Sequence, residues 1–167
     1  MRHLLLLASL AALAASTLPA HAQHAHGEGK LDVVIDKDGI AINLELPLDA
    51  AVGFERAPKN EREKAALAAA ENALGDAALF VPTPAANCKA QAPKIVMPAF
   101  GAKAGTDDHG DIDASYVYRC ANPTALKSIK TGIFKSFKRL YRLEARRAGP
   151  AGQGAARLTP KNPVLAW

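Results

Sequence analysis

The stretch KLDVVIDKDGIAINLELPL, residues 30–48, constrains the fold more than any other part of the chain. Apolar and polar residues alternate through KLDVVID, and Ile40, Ile42, Leu44 and Leu46 fall on one face of the run that follows. Between the two lies Lys37-Asp38-Gly39, a tight-turn signal in which glycine supplies the positive φ such turns need. Pro47 suits the end of a second strand rather than its middle. The stretch therefore predicts a β-hairpin, and a hairpin with one apolar face has to be covered by something else.

The following segments supply that cover. Pro58 and Asn60 precede a run rich in Ala, Glu and Lys, with Ala66, Leu67, Ala70 and Leu74 near helical spacing and Gly75 placed as a stop, which predicts a helix over about residues 59–74. AALFVPTPAANCKAQ reads as a short strand entering a proline-rich turn, then an extended segment around Cys88. Residues 97–113 lack an apolar period and predict a loop. ASYVYRC predicts a strand with Tyr116 and Tyr118 on one face, and Asn122-Pro123 can open a second helix running to about Lys130, with a restart through GIFKSF. RLYRLEARRA alternates Tyr141, Leu143 and Ala145 against Arg142, Glu144 and Arg146, as a half-buried strand does, and residues 156–159 offer a closing strand. The expected class is α+β: two helices on one face of a mainly antiparallel sheet, with a rough strand-helix-strand repeat.

Residues 1–22 are set apart from this fold. Arg2, the apolar run from Leu4 to Leu18 and the small-x-small site Ala20-His21-Ala22 read as a secretory signal peptide, and the run is too short for a good membrane span. That leaves residues 23–167 as a single α+β domain of an exported, periplasmic protein. Of 21 Lys+Arg and 16 Asp+Glu, cleavage removes only Arg2, so 20 basic residues face 16 acidic ones and the net charge is +4. An excess of that size argues against nucleic-acid binding, which needs a concentrated basic face. Cys88 and Cys120 are the only cysteines; in an oxidising compartment such a pair reads as a structural disulfide, and their spacing is not the C-x-x-C of a redox motif.

All histidines beyond residue 22 fall in two polar segments. His24 and His26, two apart in QHAHG, would present both imidazoles to one side of an extended chain, with Glu28 next; the alternative is a terminus whose histidines bind nothing. TDDHGDID places Asp107, Asp108, His109, Asp111 and Asp113 close together, a donor set suited to a divalent cation, or else a solvated turn. Its glycine and missing bidentate glutamate exclude an EF-hand loop. In GFER, Phe54 reads as a core anchor and Glu55 with Arg56 as a surface ion pair. A basic run comprising Lys127, Lys130, Lys135, Lys138, Arg139, Arg142, Arg146 and Arg147 forms either solvated faces or a dock, for an anionic membrane surface or for an acidic partner of a non-metal envelope protein. No G-x-S-x-G elbow, H-E-x-x-H helix or free Cys with a partnering His is present, so nothing points to an enzyme.

Together, HAHGEGKLDVVID, LELPLDAAVGFERAP, ALFVPTPAANC, the aspartate-histidine loop, ASYVYRC and IFKSFKRLYRLEA resemble the bacterial ZrgA-like zinc-uptake proteins over nearly all of residues 23–167. The most specific parts are the H-x-H-G opening, the G-F-E segment after the hairpin and the two cysteine positions. The resemblance implies a periplasmic protein without enzymatic activity that binds Zn²⁺ and assists a zinc importer of the ABC type, delivering the ion to it or to its binding protein, or buffering it. It implies metal binding at His24, His26 and His109, with Asp107, Asp108 and Asp111 as weaker ligands. The chain departs from the family in two places. Family members often carry a longer histidine tract in the central loop, and many read G-F-E-H where this chain has Arg56.

Overall fold

The computed structural model describes residues 26–100 and 110–167; residues 1–22, where a signal peptide is expected, lie outside them. The predicted hairpin is formed by β1 (Glu28–Ile35) and β2 (Gly39–Pro47), paired antiparallel from Lys30↔Glu45 to Ile35↔Ile40. Its turn is held by Asp36, whose Oδ1 accepts the N–H groups of Asp38 (2.8 Å) and Gly39 (2.7 Å). β6 (Asp111–Cys120) lies along the other side of β2, and its edge carries two short strands, β4 (Cys88–Ala90) and β5 (Lys94–Val96). The hairpin of β8 (Arg142–Gly149) and β9 (Gly152–Leu158) completes a seven-stranded sheet in the order β4-β6-β2-β1-β8-β9, with β5 also on β6.

One face of this sheet is apolar because alternate residues on every long strand are. Leu31, Ile42, Leu44, Ile112, Tyr116 and Leu143 are all at most 2% exposed. The face is covered by α1 (Leu48–Val52), α2 (Glu61–Leu74), α3 (Ile133–Ser136) and a three-stranded antiparallel sheet of β3 (Phe80–Pro82), β7 (Ser128–Thr131) and β10 (Val164–Ala166). α2 begins where Asn60 caps it, accepting the Glu63 N–H at 3.0 Å. Two tyrosines join sheet to cover: Tyr116 donates to the Leu74 carbonyl at the end of α2 (2.8 Å), and Tyr118 to the carbonyls of Ala77 and Phe80. The Phe80 ring stands edge-on to Tyr116, centroids 4.9 Å apart. The opposite face carries a ladder of cross-strand ion pairs, among them Arg146–Asp32 and Arg157–Glu144, with Arg142 held between Glu28 and Glu144.

Several expectations are corrected. The described residues contain three α-helices, not two, because Leu48–Val52 turns once around before Gly53 stops it with φ +90°. The sheet is mixed: β1 runs parallel to β8, from Glu28↔Arg142 to Val34↔Ala148. The second predicted helix forms only in its restart, where α3 lies within GIFKSF; the part from Pro123 to about Lys130 does not form. Pro123–Ala125 makes one 3-10 turn, and Ser128–Thr131 then extends as β7, since β3 and β10 offer it backbone partners on both edges. Tyr141 precedes β8 and is half exposed, while Leu143 and Ala145 do face the core. The closing strand starts at Gly152, not at 156, and the strand read at ASYVYRC begins three residues earlier, inside the expected loop. Cys88 and Cys120 are register partners on β4 and β6 and form the disulfide.

Candidate metal centre

Where β1 begins, the chain passes beside α1 and the segment that follows it. His26 immediately precedes Gly27, which has φ +74°, a conformation that L side chains rarely adopt. A Cβ at Gly27 would lie 2.5 Å from Cε1 of Tyr141 and 2.7 Å from the Arg139 carbonyl oxygen, so only glycine lets the chain pass this close. The Gly27 carbonyl accepts the Tyr141 N–H at 3.0 Å, and the Tyr141 hydroxyl donates to Glu28 Oε1 at 3.0 Å. On the other side Gly53 caps α1, donating its N–H to the Asp49 carbonyl (2.8 Å), and a Cβ there would meet the Arg139 guanidinium at 2.8 Å. Both glycines are thus pressed against the segment 139–141, and each sets the direction of the residues next to it.

That arrangement brings together His26, Asp49 and Glu55. His26 Nδ1 lies 2.9 Å from Asp49 Oδ2 and 3.8 Å from Glu55 Oε1, and one donor atom from each residue falls within 4.8 Å of the others. Donors around a tetrahedral Zn²⁺ sit roughly 3.3 Å apart, as bonds of about 2.0–2.1 Å require. The set is therefore near the size of a zinc site without needing a change of fold. A neutral imidazole and two carboxylates balance a divalent charge, and nitrogen with carboxylate oxygen is a donor mixture zinc accepts. Asp49 Oδ1 is buried and has no hydrogen-bond partner, so this carboxylate has unused acceptor capacity. The Asp49 hydrogen bond, then the charges of Asp49 and Glu55, raise the His26 pKa above its ordinary 6.5. The imidazole is 80% exposed and Glu55 is exposed, while Asp49 is partly buried, so the set opens to solvent on the side of His26 and Glu55.

Of the sequence-predicted ligands, only His26 belongs to this cluster. Asp111 is described; it opens β6 opposite Pro47 and does not join a group of three or more metal donors among the described residues. His24, Asp107, Asp108 and His109 lie outside the described residues. The described flanks of their loop meet next to α1: the Gly110 carbonyl accepts the Leu48 N–H (2.9 Å), and a Cβ on Gly110 would touch Pro98 and Leu48 at 3.3 and 3.5 Å. Leu48, which receives this bond, is the chain neighbour of Asp49.

Asp49 and Glu55 escaped the sequence reading. Glu55 does not pair with Arg56. The Arg56 guanidinium instead grips Glu63 through two hydrogen bonds (2.7 and 2.9 Å) and lies over the Phe54 ring, 5.1 Å from its centroid. Glu63 also accepts the Lys59 N–H, and these bonds pull its pKa from 4.5 to about 2. Phe54 packs against the core as expected. The usable signals were the two glycines, Gly27 and Gly53, each within two residues of a ligand. In the basic run, Arg142 and Arg146 are occupied by the ion-pair ladder, and Arg139 lies against Gly53.

Among the described residues no helix is long and apolar enough to cross a membrane. No curated protein sequence matches the chain. The model of one family, described as ZrgA family zinc uptake protein, matches residues 23–167. That span includes both arms of the His26–Asp49–Glu55 cluster, the disulfide and the 139–141 segment beneath them, and on this match the chain belongs to the ZrgA family of zinc uptake proteins.

Proposed function

We propose that this protein captures Zn²⁺ in the periplasm at His26, Asp49 and Glu55 and passes it to, or buffers it for, an ABC-type importer or its binding protein. The observation that carries the reading is the convergence of one imidazole and two carboxylates within 4.8 Å in a chain of a zinc-uptake family. Three ligands leave a coordination position of a tetrahedral ion open for a further donor. His24, two residues from His26, and His109, next to the Gly110 whose carbonyl holds the Leu48 N–H, are the residues we assign to complete the coordination, with Asp107 and Asp108 as weaker donors and Asp111 at the start of β6. The expected signal peptide and the Cys88–Cys120 disulfide support a periplasmic setting. On this reading the chain performs no covalent chemistry.

Calorimetric titration of Zn²⁺ into the protein tests the assignment. Asp49→Asn and Glu55→Gln preserve shape while removing an anionic donor, and each should weaken binding at least tenfold; His26→Ala should weaken it further. A variant with His24 and His109 both changed to alanine separates the core cluster from its completing ligands. Zinc binding that survives loss of His26 and Asp49 together would remove the site from this position.

A further inference from the structure

We propose that the free edge of β9 pairs with β9 of a second copy of this chain, joining two seven-stranded sheets across a two-fold axis. The sheet ends at β9, and among the described residues no strand pairs with its outer edge. Such an edge presents unpaired backbone donors and acceptors, and folded proteins ordinarily guard it with Pro, Lys, a bulge or a very short strand. The opposite edge is guarded in that way. It is broken into β4 and β5, three residues each, with Pro93 between them and Lys89 and Lys94 on the strands themselves.

β9 has none of these devices. Its seven residues, GQGAARL, hold an unbroken register with β8 from Leu143↔Leu158 to Gly149↔Gly152, with no bulge, proline or lysine. Gln153, Ala155 and Arg157 are exposed, and the small side chain of Ala155 leaves room for a neighbouring backbone at the centre of the strand, while the Arg147 guanidinium lies over Gly154.

The strand is also complementary to itself. The antiparallel register that overlaps all seven residues is centred on Ala155, which meets its own symmetry mate. It sets Arg157 opposite Gln153 and Gly154 opposite Ala156, so no like charges face each other. Pro150 and Pro160 flank the strand at equal distances from Ala155. Neither can donate a ladder hydrogen bond, so they close the pairing at both ends and disfavour slipped registers. A register shifted to centre on Arg157 would place two guanidinium groups opposite each other. These features select a second copy of this strand as occupant.

Sedimentation velocity across a concentration series should show a mass that doubles as concentration rises. Ala155→Lys, at an exposed position, should leave the circular dichroism spectrum and the zinc titration unchanged and abolish the heavier species by setting two charges at the dyad. Under oxidation Ala155→Cys should give a covalent dimer, because directly opposed residues have Cα atoms about 4.5–5.5 Å apart, within disulfide reach. Arg157→Cys should not, because its mate lies about four residues along the paired strand. A single monomeric mass at every concentration, a dimer that survives Ala155→Lys, or crosslinking at 157 instead of 155 would each overturn the proposal.

Discussion

Gly27→Ala is the substitution that most directly probes how the proposed zinc site is held. A side chain at φ +74° costs about 1–2 kcal/mol relative to glycine before any contact is considered. Here contacts follow at once, with Tyr141 Cε1 at 2.5 Å and the Arg139 carbonyl oxygen at 2.7 Å from the new Cβ. The tyrosine ring can swing aside, but the carbonyl is backbone and cannot. The least costly escape is for residues 26–28 to lift from the 139–141 segment, giving up the Tyr141 N–H to Gly27 bond and drawing His26 away from Asp49. Zinc has to reverse that displacement to recruit the imidazole. The strain therefore appears in binding, about five- to thirtyfold in Kd for about 1–2 kcal/mol. Gly152→Ala is the matched control: its φ is +88°, nothing lies within 4 Å of the new Cβ, and it opens β9 just after the turn from β8. It should lower the unfolding free energy by a comparable strain and leave the zinc titration untouched. If Gly27→Ala bound zinc as tightly as the parent protein while Gly152→Ala was destabilised as stated, the anchoring of His26 through Gly27 would be refuted.

Three further outcomes are expected. Glu63 has its pKa held down to about 2 by Arg56 and the Lys59 N–H, so its contribution to folding is present above the unfolded value near 4.5 and is lost as pH falls through about 2; hydrogen exchange in the first turn of α2 should rise over that window, and Glu63→Gln should remove the dependence. Replacing Cys88 and Cys120 by alanine releases a constraint across 32 residues, which chain entropy values at about 4 kcal/mol, and the urea-unfolding free energy should fall by that order; an unchanged value would mean the bridge constrains nothing the unfolded chain would otherwise explore. Tyr116→Phe strips the Leu74 carbonyl of a donor inside the core and should cost about 1–3 kcal/mol in thermal or urea unfolding, with zinc affinity unaltered.

What the chain disclosed before folding follows the range of the interactions concerned. The β1–β2 hairpin was legible because alternation and the Asp36–Gly39 turn act between near neighbours, and α2 because Asn60 and the Ala-rich run act within one helix. The region 123–137 misled because Leu126, Ile129 and Ile133 sit three and four apart, as a helix would have them; β-branched Ile129 and Thr131 instead pair with β3 and β10, partners far away in sequence. The parallel pairing of β1 with β8 leaves no local trace at all. The same division runs through the metal site. His26 stood out by residue type alone, whereas Asp49 and Glu55 are ordinary acidic residues until α1 and Gly53 turn them toward it. Glu55 was assigned to Arg56 as its chain neighbour, but the arginine reaches along to Glu63.

The parallel β1–β8 pairing has a consequence for when the protein can first hold zinc. The ligand-bearing end of β1 is fastened by Tyr141 and Arg142, and the Tyr141–Glu28 hydrogen bond spans 113 residues. A growing or truncated chain already holds the residues of the hairpin and α2, yet His26 has no floor beneath it until the 139–142 segment has arrived. With zinc held at the proposed site, metal competence is a late property of the polypeptide, and removing the last strands would silence zinc capture even in a fragment whose early elements still formed.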